Sequence, residues 1–177
     1  MNLPNKLTLM RILMVPAVVV LLLAFDGKWA VIAAAVCYII AAVTDFFDGK
    51  IARKYNLVTN FGKFMDPLAD KLLVCSTLVA AVALGWAPAW AVIIVIAREF
   101  AISGFRLIAV ERGVVIAAGW SGKIKTTLQN IWCIGMLIPV EAAWWKTLTT
   151  IVMILAVILT VYSFLEYLFK NQQVLKG

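Results

Sequence analysis

The sequence contains no histidine and only nine acidic residues among its 177. Without histidine the chain lacks a common metal ligand and the usual general base near neutral pH, so other side chains must do both tasks. The three cysteines, Cys37, Cys75 and Cys133, are widely separated in apolar stretches. Neither a zinc site nor a disulfide framework fits that spacing.

Charged residues are also scarce, at 14% of the sequence, whereas 64% of the residues are hydrophobic. The mean hydropathy is +1.01. A composition of this kind excludes an ordinary soluble globule. It predicts a polytopic membrane protein.

Six apolar stretches are each long enough to cross a bilayer, which requires roughly 20 helical residues. They lie at about residues 7–25, 30–50, 63–84, 89–111, 122–140 and 147–169. The first is expected to be a retained helix, because no small-x-small cleavage pattern follows Phe25. Lipid offers the backbone no hydrogen-bond partner, so every segment should be helical. We therefore predict an all-α fold with six transmembrane helices in one membrane domain covering residues 1–177.

The basic residues predict the orientation of these helices. Of the 16 Lys and Arg, all but Lys28 and Lys146 lie at the termini, in the loops after the second and fourth stretches, or along the adjoining helices. Basic residues concentrate on the cytoplasmic face of membrane proteins, so both termini are expected there. This distribution also accounts for the net charge of +7. No nucleic-acid partner is expected.

Four aspartates interrupt the apolar sequence around the second and third stretches. The pattern D-x2-D-G-x2-A-R-x8-G-x3-D-x3-D is formed by Asp45, Asp48, Gly49, Ala52, Arg53, Gly62, Asp66 and Asp70. Carboxylates near lipid are costly unless a cation compensates them, so the group points to bound metal or to an ion path. A salt-bridged topology anchor could explain any one of them, but it does not explain the four with their glycine and arginine.

The spacing of the aspartates favours a metal site. Asp45 and Asp48 are three residues apart, and Asp66 and Asp70 are four apart, so each pair shares one helix face. A helical hairpin would let the two pairs face each other at the cytoplasmic boundary. Oxygen ligands suit Mg²⁺ or Mn²⁺, and two such ions can be held roughly 3.5–4 Å apart.

The residues between the aspartate pairs favour phosphoryl-transfer chemistry. Gly49 and Ala52 leave the helix surface open to a substrate, and Arg53 supplies a planar cation for phosphate oxygens. Phosphoryl transfer is catalysed mainly by positioning and charge neutralisation, which these residue types provide. A divalent-cation transporter is an alternative of a different class, although it gives no reason for the glycine, alanine and arginine.

The complete aspartate pattern resembles the signature of the CDP-alcohol phosphatidyltransferases, with every signature position present. The resemblance implies that Asp45, Asp48 and Asp66 hold a pair of divalent ions, and that Asp70 is the general base and a further metal ligand. It also implies a homodimer in the bacterial cytoplasmic membrane. The CDP-lipid site implied in this way comprises Asn5, Thr8, Asp45, Asp48, Gly49, Ala52, Arg53, Gly62 and Asp66.

Two further stretches are similar to the bacterial family members that use sn-glycerol 3-phosphate as acceptor. One is residues 2–8, followed by Arg11 and Pro16, and the other is residues 98–106, continuing to 122–129. The resemblance implies transfer of the phosphatidyl group of CDP-diacylglycerol to sn-glycerol 3-phosphate, with release of CMP. Phosphatidylglycerol, inositol phosphate and serine remain alternative acceptors.

The basic residues of the fourth and fifth stretches are candidates for binding an acceptor phosphate. Arg98 lies too deep for a purely topological role. Snorkelling to lipid headgroups is the alternative for Arg106 and Lys125, and Glu99 is expected to be an internal partner of an arginine. The predicted acceptor site comprises Arg98, Arg106, Lys123 and Lys125.

Asn5 and Thr8 have two interpretations that the sequence leaves open. They could contact the nucleotide, or they could cap the N-terminus of the first helix.

Overall fold

A computed structural model describes the chain at residues 3–54, 60–111, 113, 116 and 119–172. Within these ranges it describes the side chains except at residues 3–4, 45–54 and 60–64. Six α-helices are present there, and none of the described residues is in a strand. The helices are α1 Leu3–Leu23, α2 Lys28–Lys54, α3 Asn60–Ala83, α4 Ala89–Glu111, α5 Trp120–Leu137 and α6 Ala143–Lys170.

The predicted all-α fold and the order of its helices are confirmed, and the helix ends differ from the prediction by up to four residues. One of these differences, between α5 and α6, has a clear cause. The sequence predicted helix to residue 140 and a connection over residues 141–146, whereas α5 ends at Leu137 and α6 begins at Ala143. Pro139 explains the earlier end, because proline has no N–H to donate and disfavours helix at the residue before it.

Two helices in the described part of the chain are long and apolar enough to cross a membrane. They are Asn5–Leu23, with 19 residues, and Ala143–Lys170, with 28. A shorter apolar helix runs over Lys28–Thr44. By contrast, α4 carries Arg98, Glu99 and Arg106 within its length, which makes it less apolar than α6.

The chain divides into two compact units, of which the first comprises Met1–Ala87 and Cys133–Glu141. In this unit α1 packs against α2 and α3, and α2 also contacts α3. Buried positions recur at alternating intervals of three and four residues, as expected for helices packed at a shallow angle. On α1 these buried positions are Thr8, Arg11, Val15, Val18 and Leu22, and on α2 they include Ala30, Ala34, Tyr38 and Ala41.

The second unit comprises Pro88–Trp132 and Ala142–Gly177, and in it α4 packs against α6. Ile102, Phe105 and Ala109 of α4 form a buried cluster with Tyr167 of α6. The buried face of each helix includes polar residues, which distinguishes it from an ordinary apolar core. On α4 the polar member is Glu99, and on α6 the polar members are Thr160 and Ser163.

Gly85 ends α3 in a left-handed backbone conformation, with φ of +72°. The Trp86 N–H donates to the Ala81 carbonyl at 2.8 Å, and the Gly85 N–H donates to the Val82 carbonyl at 3.0 Å. This is the hydrogen-bond pattern of a Schellman motif, which satisfies the last carbonyls of the helix. The position therefore requires the conformational freedom of glycine.

We predict that Gly85→Ala lowers the free energy of unfolding by about 1–2 kcal/mol, because an L-residue is strained in the left-handed region. An added Cβ would meet no atom within 4 Å, so the cost is backbone strain alone. Gly104→Ala is the matched control, since Gly104 is helical and also has open space. Thermal unfolding in detergent should separate the two variants, and equal destabilisation by both would contradict the assignment.

Candidate functional site

A hydrogen bond joins the polar ends of α1 and α3 in the first unit. The Thr8 hydroxyl donates to Oδ1 of Asp66 at 2.5 Å. Thr8 has no exposed surface, and Asp66 is half-buried. The contact brings together two of the residues that the sequence predicted for the CDP-lipid site.

Asp66 and Asp70 extend the buried face of α3 toward its N-terminal end. The buried residues Leu73 and Thr77 follow them at helical spacing, so all four positions share one face. Asp70 is also half-buried. Both carboxylates therefore lie near the packed interior of the first unit rather than on a fully solvated surface.

The remaining signature residues lie in the helices, but their side chains fall outside the described residues. Positions 45, 48, 49, 52 and 53 belong to the last turns of α2, and position 62 belongs to the first turn of α3. The register of α2 continues from the buried residues Ala34, Tyr38 and Ala41 to positions 45 and 48. Among the side chains that are described, no three Cys, Asp or Glu lie close enough together to hold an ion.

The structure of α1 excludes one of the two interpretations of Asn5 and Thr8 that the sequence left open. Asn5 and Thr8 both lie inside a helix that begins at Leu3, so neither is the N-terminal cap. Arg11 lies one turn after Thr8 on the same face and has no exposed surface. The sequence predicted no site role for Arg11, although its three-residue spacing from Thr8 indicates a shared helix face.

A buried ionic network links three helices in the second unit. Lys125 Nζ of α5 donates to Glu99 Oε1 of α4. Arg98 Nη1 donates to the same oxygen at 3.2 Å, and its Nη2 donates to Ser163 Oγ of α6 at 3.2 Å. Glu99 is thus shared by two cations, and the expectation that it is an internal partner of an arginine is confirmed.

This network places two cations beside one shared carboxylate in a buried place. The side chain of Lys125 is 2% exposed, and those of Arg98 and Glu99 are 12% and 11% exposed. Buried charges are costly unless opposite charge and hydrogen bonds compensate them, so the three groups depend on one another.

Arg106 lies over an aromatic ring at a separate place in the second unit. Its guanidinium carbon is 5.9 Å from the centroid of the Tyr167 ring. Arg106 Nε and the Tyr167 hydroxyl are buried, and neither has a hydrogen-bond partner within the described residues. Both groups therefore retain donor capacity that a ligand could use.

Lys123 differs from the other three basic residues predicted for the acceptor site. It is exposed, and its Nζ is 5.2 Å from the centroid of the Trp120 ring. Lys125 is two residues further along α5 and is buried. The structure thus joins Arg98 and Lys125 through Glu99, whereas Arg106 contacts Tyr167 and Lys123 contacts Trp120.

Polar residues of α6 belong to this arrangement, although the sequence predicted no site role for them. Ser163 accepts from Arg98, and Thr160 accepts a hydrogen bond from Gln129 Nε2 at 3.2 Å. Glu166 accepts from the Ser121 hydroxyl and, at 2.5 Å, from Lys170 Nζ. The sequence does carry a signal for the buried polar residues, because Thr160, Ser163 and Tyr167 recur at helical spacing on the face that carries the small residue Ala156.

Comparison with known proteins identifies the family. The family described as CDP-alcohol phosphatidyltransferase matches residues 1–162 of this chain. The chain belongs to that family. Its members are transferases, and the apolar helices agree with an integral membrane protein.

Individual relatives are similar along nearly the whole chain. The CDP-diacylglycerol--glycerol-3-phosphate 3-phosphatidyltransferase of Bacillus subtilis (strain 168) is 46% identical, over 99% of this chain and 97% of its own length. A protein named probable phosphatidylglycerophosphate synthase from Mycobacterium tuberculosis (strain ATCC 25618 / H37Rv) is 39% identical, over 94% and 79%. The Escherichia coli (strain K12) CDP-diacylglycerol--glycerol-3-phosphate 3-phosphatidyltransferase is 37% identical, over 94% and 93%.

We predict that Glu99→Gln destabilises the protein far more than Lys125→Met does. Glu99→Gln removes the carboxylate that Arg98 and Lys125 share, which should cost about 3–5 kcal/mol. Lys125→Met instead leaves one arginine with one carboxylate. Adding Lys125→Met to Glu99→Gln should recover part of the loss. Thermal unfolding of the three variants measures this, and strictly additive effects would contradict the shared-carboxylate arrangement.

Proposed function

We propose that the chain transfers the phosphatidyl group of CDP-diacylglycerol to sn-glycerol 3-phosphate, giving phosphatidylglycerophosphate and CMP. The observation that carries this conclusion is similarity over 99% of the chain to a relative named for that reaction. The aspartates of the first unit suit a metal-bound diphosphate, and the arginines and lysines of the second suit an acceptor that carries phosphate.

The proposed topology has six transmembrane helices in a single domain over residues 1–177, with both termini in the cytoplasm of a bacterium. Two contacts within the first unit support it. Lys28 and Glu141 form an ion pair at 2.8 Å, and both belong to connections predicted to lie outside the cytoplasm. Thr8 and Asp66 meet near the N-terminal ends of α1 and α3. These ends are predicted to lie at the cytoplasmic side, where the active site is expected.

Asp45, Asp48, Asp66 and Asp70 are proposed to hold Mg²⁺ or Mn²⁺, as a pair of ions. The chain fits such a group, because carboxylate oxygens suit hard cations and Asp66 is oriented by a neutral hydroxyl. When bound, the metal would neutralise the diphosphate and make CMP a better leaving group.

Asp70 is proposed as the general base. Its carboxylate takes the proton of the acceptor's primary hydroxyl while that oxygen attacks the lipid-side phosphorus of the diphosphate. The bond from that phosphorus to the bridging oxygen breaks, and the electron pair leaves with CMP. Arg53 stabilises negative charge on the phosphate oxygens. Asn5, Gly49, Ala52 and Gly62 complete the proposed CDP-lipid pocket.

The acceptor phosphate is proposed to bind Arg98, Arg106, Lys123 and Lys125 with different strengths. Lys125 and Arg98 already donate to Glu99, so they contribute mainly fixed positive charge. Arg106 has an Nε–H without a partner in the described part of the chain, and Lys123 is exposed. These two residues have the most capacity for new bonds to phosphate. A homodimer and surrounding membrane lipids complete the proposed partners, on the resemblance to the family.

The test of the proposed function supplies purified protein and CDP-diacylglycerol with one acceptor at a time. We expect CMP release with sn-glycerol 3-phosphate and none with serine, inositol phosphate or phosphatidylglycerol. A chelator should abolish release, and Mg²⁺ or Mn²⁺ should restore it. CMP release with serine and none with sn-glycerol 3-phosphate would overturn the proposed acceptor.

Arg106→Ala tests the acceptor site. A lost hydrogen bond to a charged group is worth about 1.5–3 kcal/mol, so KM for sn-glycerol 3-phosphate should rise about ten- to hundredfold. KM for CDP-diacylglycerol should be unchanged. Lys170→Ala is the matched control, because Lys170 is an exposed cation of the same unit paired with Glu166. If Arg106→Ala raised both KM values equally, it would act through general electrostatics and not through the acceptor.

A further inference from the structure

We propose that Thr8 is a positioning residue for Asp66, holding that carboxylate in the orientation required to bind a divalent ion. This differs from the role that the sequence suggested, in which Thr8 contacts the nucleotide. The inference depends on one part of the proposed function, namely that Asp66 is a metal ligand.

The first support is the geometry of the contact. Thr8 Oγ1 lies 2.5 Å from Asp66 Oδ1, and 58 residues of sequence separate the two. Thr8 is fully buried on the face of α1 that also carries Arg11 and Val15, so its hydroxyl has little freedom to turn toward a ligand. Asp66 is only half-buried, so the residue keeps some accessible surface.

The second support is the chemistry of the donor. An ionised carboxylate has about four acceptor positions, and a hydroxyl occupies one of them with its single proton. Because the hydroxyl is neutral, it orients the carboxylate without cancelling the charge that a divalent ion requires. A lysine or arginine in its place would compete with the ion for the same oxygens. Thr8 is therefore suited to support a metal ligand.

Thr77 is another buried threonine of the same unit, and its hydroxyl makes a different kind of contact from that of Thr8. The Thr77 hydroxyl donates to the Leu73 carbonyl of its own helix at 2.8 Å, which is the ordinary arrangement for a threonine within a helix. Thr8 instead reaches a carboxylate on a different helix. Thr77 is 1% exposed and Thr8 is 0% exposed, so the same substitution can be made in equally buried surroundings.

The experiment measures Mn²⁺ binding directly, by electron paramagnetic resonance of the free ion, with purified full-length protein and no substrate. Removal of a residue that supports a metal ligand typically weakens metal binding 10–100-fold. We therefore expect Thr8→Val to raise the Kd for Mn²⁺ by about ten- to hundredfold, and Thr8→Ser to remain near the wild type because it keeps the hydroxyl. Thr77→Val should leave the Kd unchanged, and Asp66→Asn should weaken binding at least as much as Thr8→Val.

A second measurement separates positioning from nucleotide contact. At saturating Mn²⁺, Thr8→Val should regain most of its turnover, with KM for CDP-diacylglycerol unchanged. An unchanged Kd for Mn²⁺ with a raised KM for the CDP-lipid would overturn the inference, and so would equal effects of Thr8→Val and Thr77→Val. If Thr8→Val does not fold, Thr8→Ala takes its place and the same outcomes apply.

The inference and the proposed function can fail separately. If the wild type binds Mn²⁺ and Thr8→Val weakens that binding, Thr8 supports the metal site even when sn-glycerol 3-phosphate gives no CMP release. If the acceptor assay succeeds while Thr8→Val binds Mn²⁺ normally, the function stands and the role of Thr8 is wrong. Absence of any Mn²⁺ binding by the wild type would overturn the inference.

Discussion

Compensation of charge among apolar helices is the constraint on which this structure depends. A charged or polar group removed from water is stable only when a partner replaces the solvent. Glu99 is buried and is shared by Arg98 and Lys125. Thr8 is fully buried and donates to Asp66. The Lys125–Glu99 and Thr8–Asp66 contacts each join two different helices, so the packing of the helices and the pairing of their polar groups support each other.

Helix periodicity places these polar groups where they can meet. On α1, Thr8 and Arg11 occupy the same buried face as Val15, and on α4 Glu99 occupies the same buried face as Ile102. Both helices therefore pack through one face, which is apolar along part of its length and also carries polar residues. The same helical periodicity therefore buries the apolar residues that hold the helices together and places the polar residues at defined positions along them.

Much of the fold could be predicted because its signals are local. Six apolar stretches gave six helices in the expected order, with ends within four residues of the prediction. The aspartate pattern identified the family from residue types and spacing alone. By contrast, the bond from Thr8 to Asp66 crosses 58 positions, and the bond from Arg98 to Ser163 crosses 65. Partners so distant in sequence leave no periodic signal that names them.

The sequence by itself determined the class of the protein: an all-helical chain that carries the aspartate signature. These properties follow from composition and short-range spacing, which every helix expresses without its neighbours. Only the tertiary structure decided that Lys125 is buried against Glu99 while Lys123 is exposed, and that Thr8 lies inside a helix and bonds to Asp66. Such distinctions depend on which helix packs against which face, because burial and partner choice are properties of the assembled helices.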